Sequence, residues 1–171
     1  WQWIDLLFAT MTQLAVQQLP VSFTLVGSIG KSGLIPGWQE RFPKRMLTTI
    51  EHLPYEQVPA YYRAASALVI PRPFMLSTYC AFPQKLVDYM ASGTVVIATD
   101  LAPHRWALQQ PPAGILCPAS AIGLADGIRA AMDTGRATAC AKEARRRAEQ
   151  LFCHLRQTAR IYALFADIIS G

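Results

Sequence analysis

The chain has 171 residues, of which 52% are apolar and 16% charged, so it can bury one good core and is too apolar for a disordered segment. A net charge of +5 fits phosphate ligands, nucleic acid or an anionic membrane surface and does not choose among them. No apolar run is long enough to cross a bilayer, and residues 1–19, which lack a basic start and carry Asp5, are not a signal peptide.

Residues 1–19 read as an amphipathic helix with Ile4, Leu7, Phe8, Met11, Leu14 and Ala15 on one side, ended by Pro20. A strand follows at 21–26 and stops at Gly27. The stretch GSIGKSG at 27–33 imitates the end of a phosphate-binding P-loop, but the motif needs a Gly where Leu25 stands, and Gly33, Pro36 and Gly37 break the helix that should follow. It reads better as a turn, with Gly27 either giving close access to a ligand cleft or simply turning the chain. Residues 34–44 are an irregular connection, 45–50 a strand, 51–54 its loop, 55–65 a short helix and 67–70 a buried strand.

Residues 71–82 read as a long loop at the carboxyl end of a strand, where open α/β sheets bind ligands. Ser77, Thr78 and the amides up to Phe82 are candidates to face a ligand, Tyr79 and Phe82 are expected mainly to close the core, and Arg72 either offsets charge or is solvated. Pro83 opens and Gly93 closes a helix at 84–92, with Leu86, Val87, Met90 and Ala91 as its buried face. The unbroken apolar run at 95–98 then reads as a strand covered on both faces, as in a parallel sheet.

Further on come a helix at 102–110, a strand at 114–117, a helix at 122–132 and one long helix at 136–170. His104 and Trp106 are expected to pack or face solvent. Lys142, Arg145, Arg146 and Arg147 fall on more than one face of the last helix; the adopted reading is a solvated covering helix, and the sharper one is weak contact with an anionic membrane surface. The helix lacks interleaved aromatics, which argues against nucleic acid. Cys80, Cys117, Cys140 and Cys153 have no C-x-x-C spacing and read as reduced, mostly packing residues of a cytoplasmic protein. No His, Cys or carboxylate cluster has metal-ligand spacing.

Two polar residues on the helix at 84–92 stand out. Lys85 lies in the first turn, where the macrodipole is already positive, so a cation there is misplaced unless an anion binds. Asp88, three residues on, suits a ribose diol. The plainer reading is a surface pair between the two, but Lys before acid is the poorer orientation.

Pro83, Lys85, Asp88, Tyr89, Met90, Ala91 and Gly93, followed by the strand at 95–98, resemble the P-x-K-x-x-E-Y-M-A-x-G-x-P-V-V-A pattern of GT-B glycosyltransferases, in particular the family 4-like enzymes that build bacterial surface glycans. WQWIDLL with SFTLVG near the start, and LPYEQVPAYYRAASALVIP at 53–71, are similar to further family motifs. The resemblance implies an α/β, Rossmann-like, mostly parallel sheet with helices on both faces, the C-terminal half of a GT-B fold. It also implies a single donor-binding domain over 1–171 that lacks its first strand and the N-terminal, acceptor-binding domain. By the same resemblance Lys85 stands by the donor diphosphate as the catalytic cation, and Asp88 holds the ribose. The backbone at His52 and Leu53 flanks the nucleobase. Gly27, Ser77, Thr78, Phe82, Pro83 and Leu86 line the remainder, and Cys80 stands where many members carry a sugar-contacting Glu.

The expected activity is transfer of a hexosyl group from a UDP- or GDP-sugar to a glycan or lipid-linked acceptor, with no metal or other cofactor. The protein is expected in the cytoplasm or at the inner face of the membrane, with a fragment of this length inactive without its N-terminal partner domain. The alternatives are a sugar-nucleotide epimerase on the same scaffold, and a non-catalytic nucleotide-binding or interaction module.

Overall fold

A computed structural model describes residues 4–27 and 41–170. Helix α1 (Ile4–Val16) leads into strand β1 (Phe23–Val26), which pairs in parallel with β2 (Leu47–Ile50). A 3-10 turn (Tyr55–Gln57) and helix α2 (Val58–Ala64) lead to β3 (Leu68–Ile70). Then follow α3 (Leu76–Cys80), α4 (Gln84–Ser92), β4 (Val96–Thr99), α5 (Ala102–Leu108), β5 (Ile115–Cys117), α6 (Ala121–Ala130), α7 (Thr134–Leu151) and α8 (His154–Ser170). The order β3-β4-β5 is all parallel, with Ile70 opposite Ala98 and Ala98 opposite Leu116.

The apolar run in β4 is explained by its two neighbours in depth. Val95 and Ile97 enter a core shared with Phe8, Met11 and Leu14 of α1 and Leu124 of α6. Val96 and Ala98 face the other way, onto Leu86 and Met90 of α4 and Leu108 of α5. Alternate residues therefore serve opposite cores, and every residue of the strand is buried. Each fully buried Leu or Met contributes about 1.5–3 kcal/mol by leaving water.

Helix α4 ends as its sequence implies: Gly93 takes the left-handed conformation, φ 77° and ψ 18°, which a residue with a Cβ adopts at a cost. Several expectations need correction. Residues 71–82 are not all loop, because Thr78 nucleates the short α3 by accepting the Met75 N–H at 3.0 Å and bonding the Pro73 carbonyl at 2.6 Å. The long terminal helix is two, α7 and α8, broken at Phe152 and Cys153. On α4 it is Ala91 that is exposed, while Tyr89 packs at the margin of the core. Cys117 and Cys140 are buried packing residues, whereas Cys80 is exposed.

Arg147 is not a solvated cation. It is 7% exposed and donates to the carbonyls of Ala107 (2.8 Å), Gln110 and Pro111 (3.1 Å). Helix α8 has no buried side chain among its described residues, and Leu155, Ile161, Leu164, Phe165 and Ile168 are exposed along it. No helix among the described residues is long and apolar enough to cross a membrane.

Candidate functional site

Because β3, β4 and β5 are parallel, the segments leaving them all emerge at one edge, and α4 begins at that edge on its way back to β4. Pro83 is the N-cap of α4 and supplies no side-chain hydrogen bond, and the first turn holds no acid. The Leu86 N–H bonds back to the Pro83 carbonyl at 3.0 Å, which leaves the N–H groups of Gln84 and Lys85 for solvent or a ligand. Lys85 is exposed in this turn, and the pair with Asp88 does not form: neither residue has an ion-pair partner among the described residues. The result is an uncapped positive helix end carrying a free cation, the arrangement that binds anions elsewhere in proteins.

Asp88 is also exposed, next to an edge-to-face pair of Tyr62 on α2 and Tyr89, ring centroids 4.9 Å apart. Burial pushes the Tyr89 hydroxyl up to about 12, helped by Tyr62 and Asp88. The tyrosine pair fixes α2 against α4 and so sets where the Asp88 carboxylate stands.

The structure spreads the other expected contacts unevenly. Gly27, at the end of β1 with φ 140°, has open space where a Cβ would stand. His52 is exposed and Leu53 half-buried in the loop after β2. Ser77 and Cys80 are exposed on α3 and Pro83 is half-buried. Two candidates are lost to the interior. Thr78 is 2% exposed with its hydroxyl occupied in capping α3, and Leu86 is fully buried with its N–H already bonded, so neither offers a group to a ligand. The P-loop-like stretch beyond Gly27 lies outside the described residues.

Tyr79 and Phe82 do not close the core either. Tyr79 is exposed against Phe74, and Phe82 stands edge-on to Trp106 at 5.7 Å and tilted on Phe152 at 5.6 Å, forming an aromatic cluster just before the tip of α4.

Of the two readings given for His104 in the sequence, the structure takes the packed one. His104 is fully buried and donates its Nδ1–H to the Thr99 carbonyl at 2.5 Å, which leaves Nε2 as a bare acceptor without a partner. Burial is the main cause that lowers its pKa below the usual 6.5, with Arg72 lowering it further. Asp100 is taken by Arg105 through both oxygens, at 2.5 and 2.9 Å. Arg72 donates Nη1–H to the Ala81 carbonyl at 2.8 Å, while its Nε–H is buried without a partner. The signal in sequence was the Arg between two prolines at a strand's carboxyl end.

The parallel α/β fold, with its loops gathered at one edge, has counterparts among known proteins. A model of the glycosyl transferases group 1 family matches residues 1–134, and the chain belongs to that family. Among solved structures it is similar to sucrose-phosphate synthase from Thermosynechococcus elongatus, with 23% identity and a TM-score of 0.72 over 95% of this chain and 42% of that one. It is also similar to Anabaena HepE, solved with UDP and glucose, at 18% identity and a TM-score of 0.72 over 93% of this chain and 44% of that one. The C-terminal domain of a group 1 glycosyl transferase from Francisella tularensis matches at 16% identity and a TM-score of 0.66, over 85% of this chain and 77% of that one. The chain thus spans less than half the length of the first two, and the likeness is one of fold, that of GT-B glycosyltransferase C-terminal domains. A search of curated proteins finds no match.

Proposed function

We propose that this chain is the donor-binding part of a glycosyltransferase, holding a UDP- or GDP-sugar while its hexosyl group passes to a glycan or lipid-linked acceptor. The observation that carries the reading is the tip of α4: no cap, no acid in its first turn, and an unpaired Lys85. In transfer, the bond between the anomeric carbon and the diphosphate oxygen breaks, and negative charge grows on the departing nucleoside diphosphate. Lys85 and the free N–H groups of the first turn stabilise that charge in place, with no reorganisation at the moment of reaction. Asp88 accepts hydrogen bonds from the ribose hydroxyls, and the loop at His52 and Leu53 lies beside the base. Ser77 and Cys80 face the sugar. The family membership and HepE's capture with UDP support a uridine nucleotide first. The acceptor site and any catalytic base come from a part of the protein outside this chain, and no metal is invoked.

A second reading, a nucleotide-binding module without catalysis, draws support from Cys80, which provides no carboxylate for a sugar. Calorimetric titration with UDP, GDP and ADP tests the main reading. One of the first two should bind more tightly than ADP, and adding the sugar should change the affinity. Indifference to all three would remove the donor-binding role.

A further inference from the structure

The end of β3 and the tip of α4 are tied together by one side chain. Ile70 is the last residue of β3 and pairs with Ala98, so Arg72 lies just beyond the strand at the level of Asp100. From there its Nη1–H reaches the carbonyl of Ala81, three residues before the first residue of α4, Gln84. The guanidinium is therefore tied to the segment that leads into α4, four residues before Lys85 along the chain.

That guanidinium has no counter-charge. It is half-buried, desolvation lowers its basicity, and its Nε–H has no partner. No carboxylate lies within ion-pair distance of it among the described residues. Asp100, at the same level across the sheet, has both oxygens occupied by Arg105. His104, whose pKa is lowered by burial and by Arg72, supplies no negative charge either. A cation taken partly out of water is costly unless something negative meets it. The carbonyl that Arg72 holds is four residues before a second free cation, Lys85, in a helix turn with no acid, so a ligand meeting both cations would carry more than one negative charge. A guanidinium fork presents paired donors that match two oxygens of one phosphate, which an ammonium cannot do.

We propose that Arg72 is the second cation of this site, binding the phosphate next to the one held by Lys85, so that the protein selects nucleoside diphosphates over monophosphates. The inference rests on the donor-binding reading above and assigns Arg72 a direct ligand contact. A purely structural Arg72 would only brace the loop through Ala81. The ratio of diphosphate to monophosphate loss separates the two roles, because a loosened loop weakens both ligands alike, whereas a lost phosphate contact weakens the diphosphate most; Arg72→Lys keeps the charge without the fork.

The test is calorimetric titration of wild-type protein, Arg72→Gln and Arg72→Lys with UDP and UMP, and with GDP and GMP. In Arg72→Gln the preferred diphosphate should weaken by roughly tenfold or more and its monophosphate by less than about twofold, with Arg72→Lys in between. Unchanged diphosphate binding in Arg72→Gln, or an equal loss for diphosphate and monophosphate, overturns the assignment while leaving the donor-binding reading intact. Wild-type protein that binds no diphosphate, or does not prefer it to the monophosphate, takes both down together.

Discussion

Arg147 of α7 donates Nη1–H to the Ala107 carbonyl of α5 at 2.8 Å, joining the two helices through residues 40 positions apart in sequence. Its other terminal nitrogen reaches the Gln110 and Pro111 carbonyls, so one cation closes the carboxyl end of α5. Replacing it with Met would keep much of the volume and strand these carbonyls beside an apolar chain. Arg147→Met should lower stability by about 2–4 kcal/mol, and Arg147→Lys by less, in urea denaturation. A change within about 0.5 kcal/mol, the range of ordinary surface substitutions, would mean that the cation is dispensable.

His104 gives the fold a dependence on pH. Its folded pKa lies below 6.5, mainly through burial, so the unfolded chain takes up a proton before the folded one does. The stability this contributes is present in full above about 6.5 and is lost as pH falls through the folded pKa, at no more than about 1.4 kcal/mol per pH unit. His104→Asn keeps a donor for the Thr99 carbonyl and does not titrate. Denaturation at pH 7.5 and 5.5 should therefore show a smaller acid loss in the variant; parallel losses would exclude His104 as the cause.

Two glycines separate strain from crowding. A Cβ at Gly93 would meet nothing nearer than Arg145 Cδ at 3.7 Å, so Gly93→Ala costs only its left-handed backbone, about 1–2 kcal/mol. At Gly123 the same atom would lie 2.7 Å from the Pro118 carbonyl oxygen, and backbone must move. Thermal unfolding should rank Gly123→Ala below Gly93→Ala, with both below wild type. The reverse order would show that the start of α6 yields easily.

Much of this was legible from spacing. Pro83 and Gly93 bracket α4 because one cannot donate an N–H and the other tolerates φ 77°, and β4 reads as doubly covered because nothing in it is polar until Thr99. What escaped depends on local caps or on partners far off in the chain. Helix α3 has five residues and no periodic face, and Thr78 caps it by a local hydrogen bond that composition does not reveal. The break after α7 carries no Pro or Gly; Phe152 sits there against Phe82 and Trp106, which come from earlier in the chain. Arg147 looked solvated because its acceptors are 36 to 40 residues away. At the candidate site, the lone cation of α4 and the buried place of Leu86 were visible in sequence, whereas the interior fate of Thr78 follows from its local cap and tertiary packing.

The most direct test compares UDP with uridine on wild-type protein and Lys85→Ala. If the tip of α4 meets the diphosphate, the substitution should weaken UDP by about tenfold or more, roughly 1.4 kcal/mol, and leave uridine unchanged. An equal loss for both ligands, or no loss for UDP, would contradict the placement of the phosphates at Lys85.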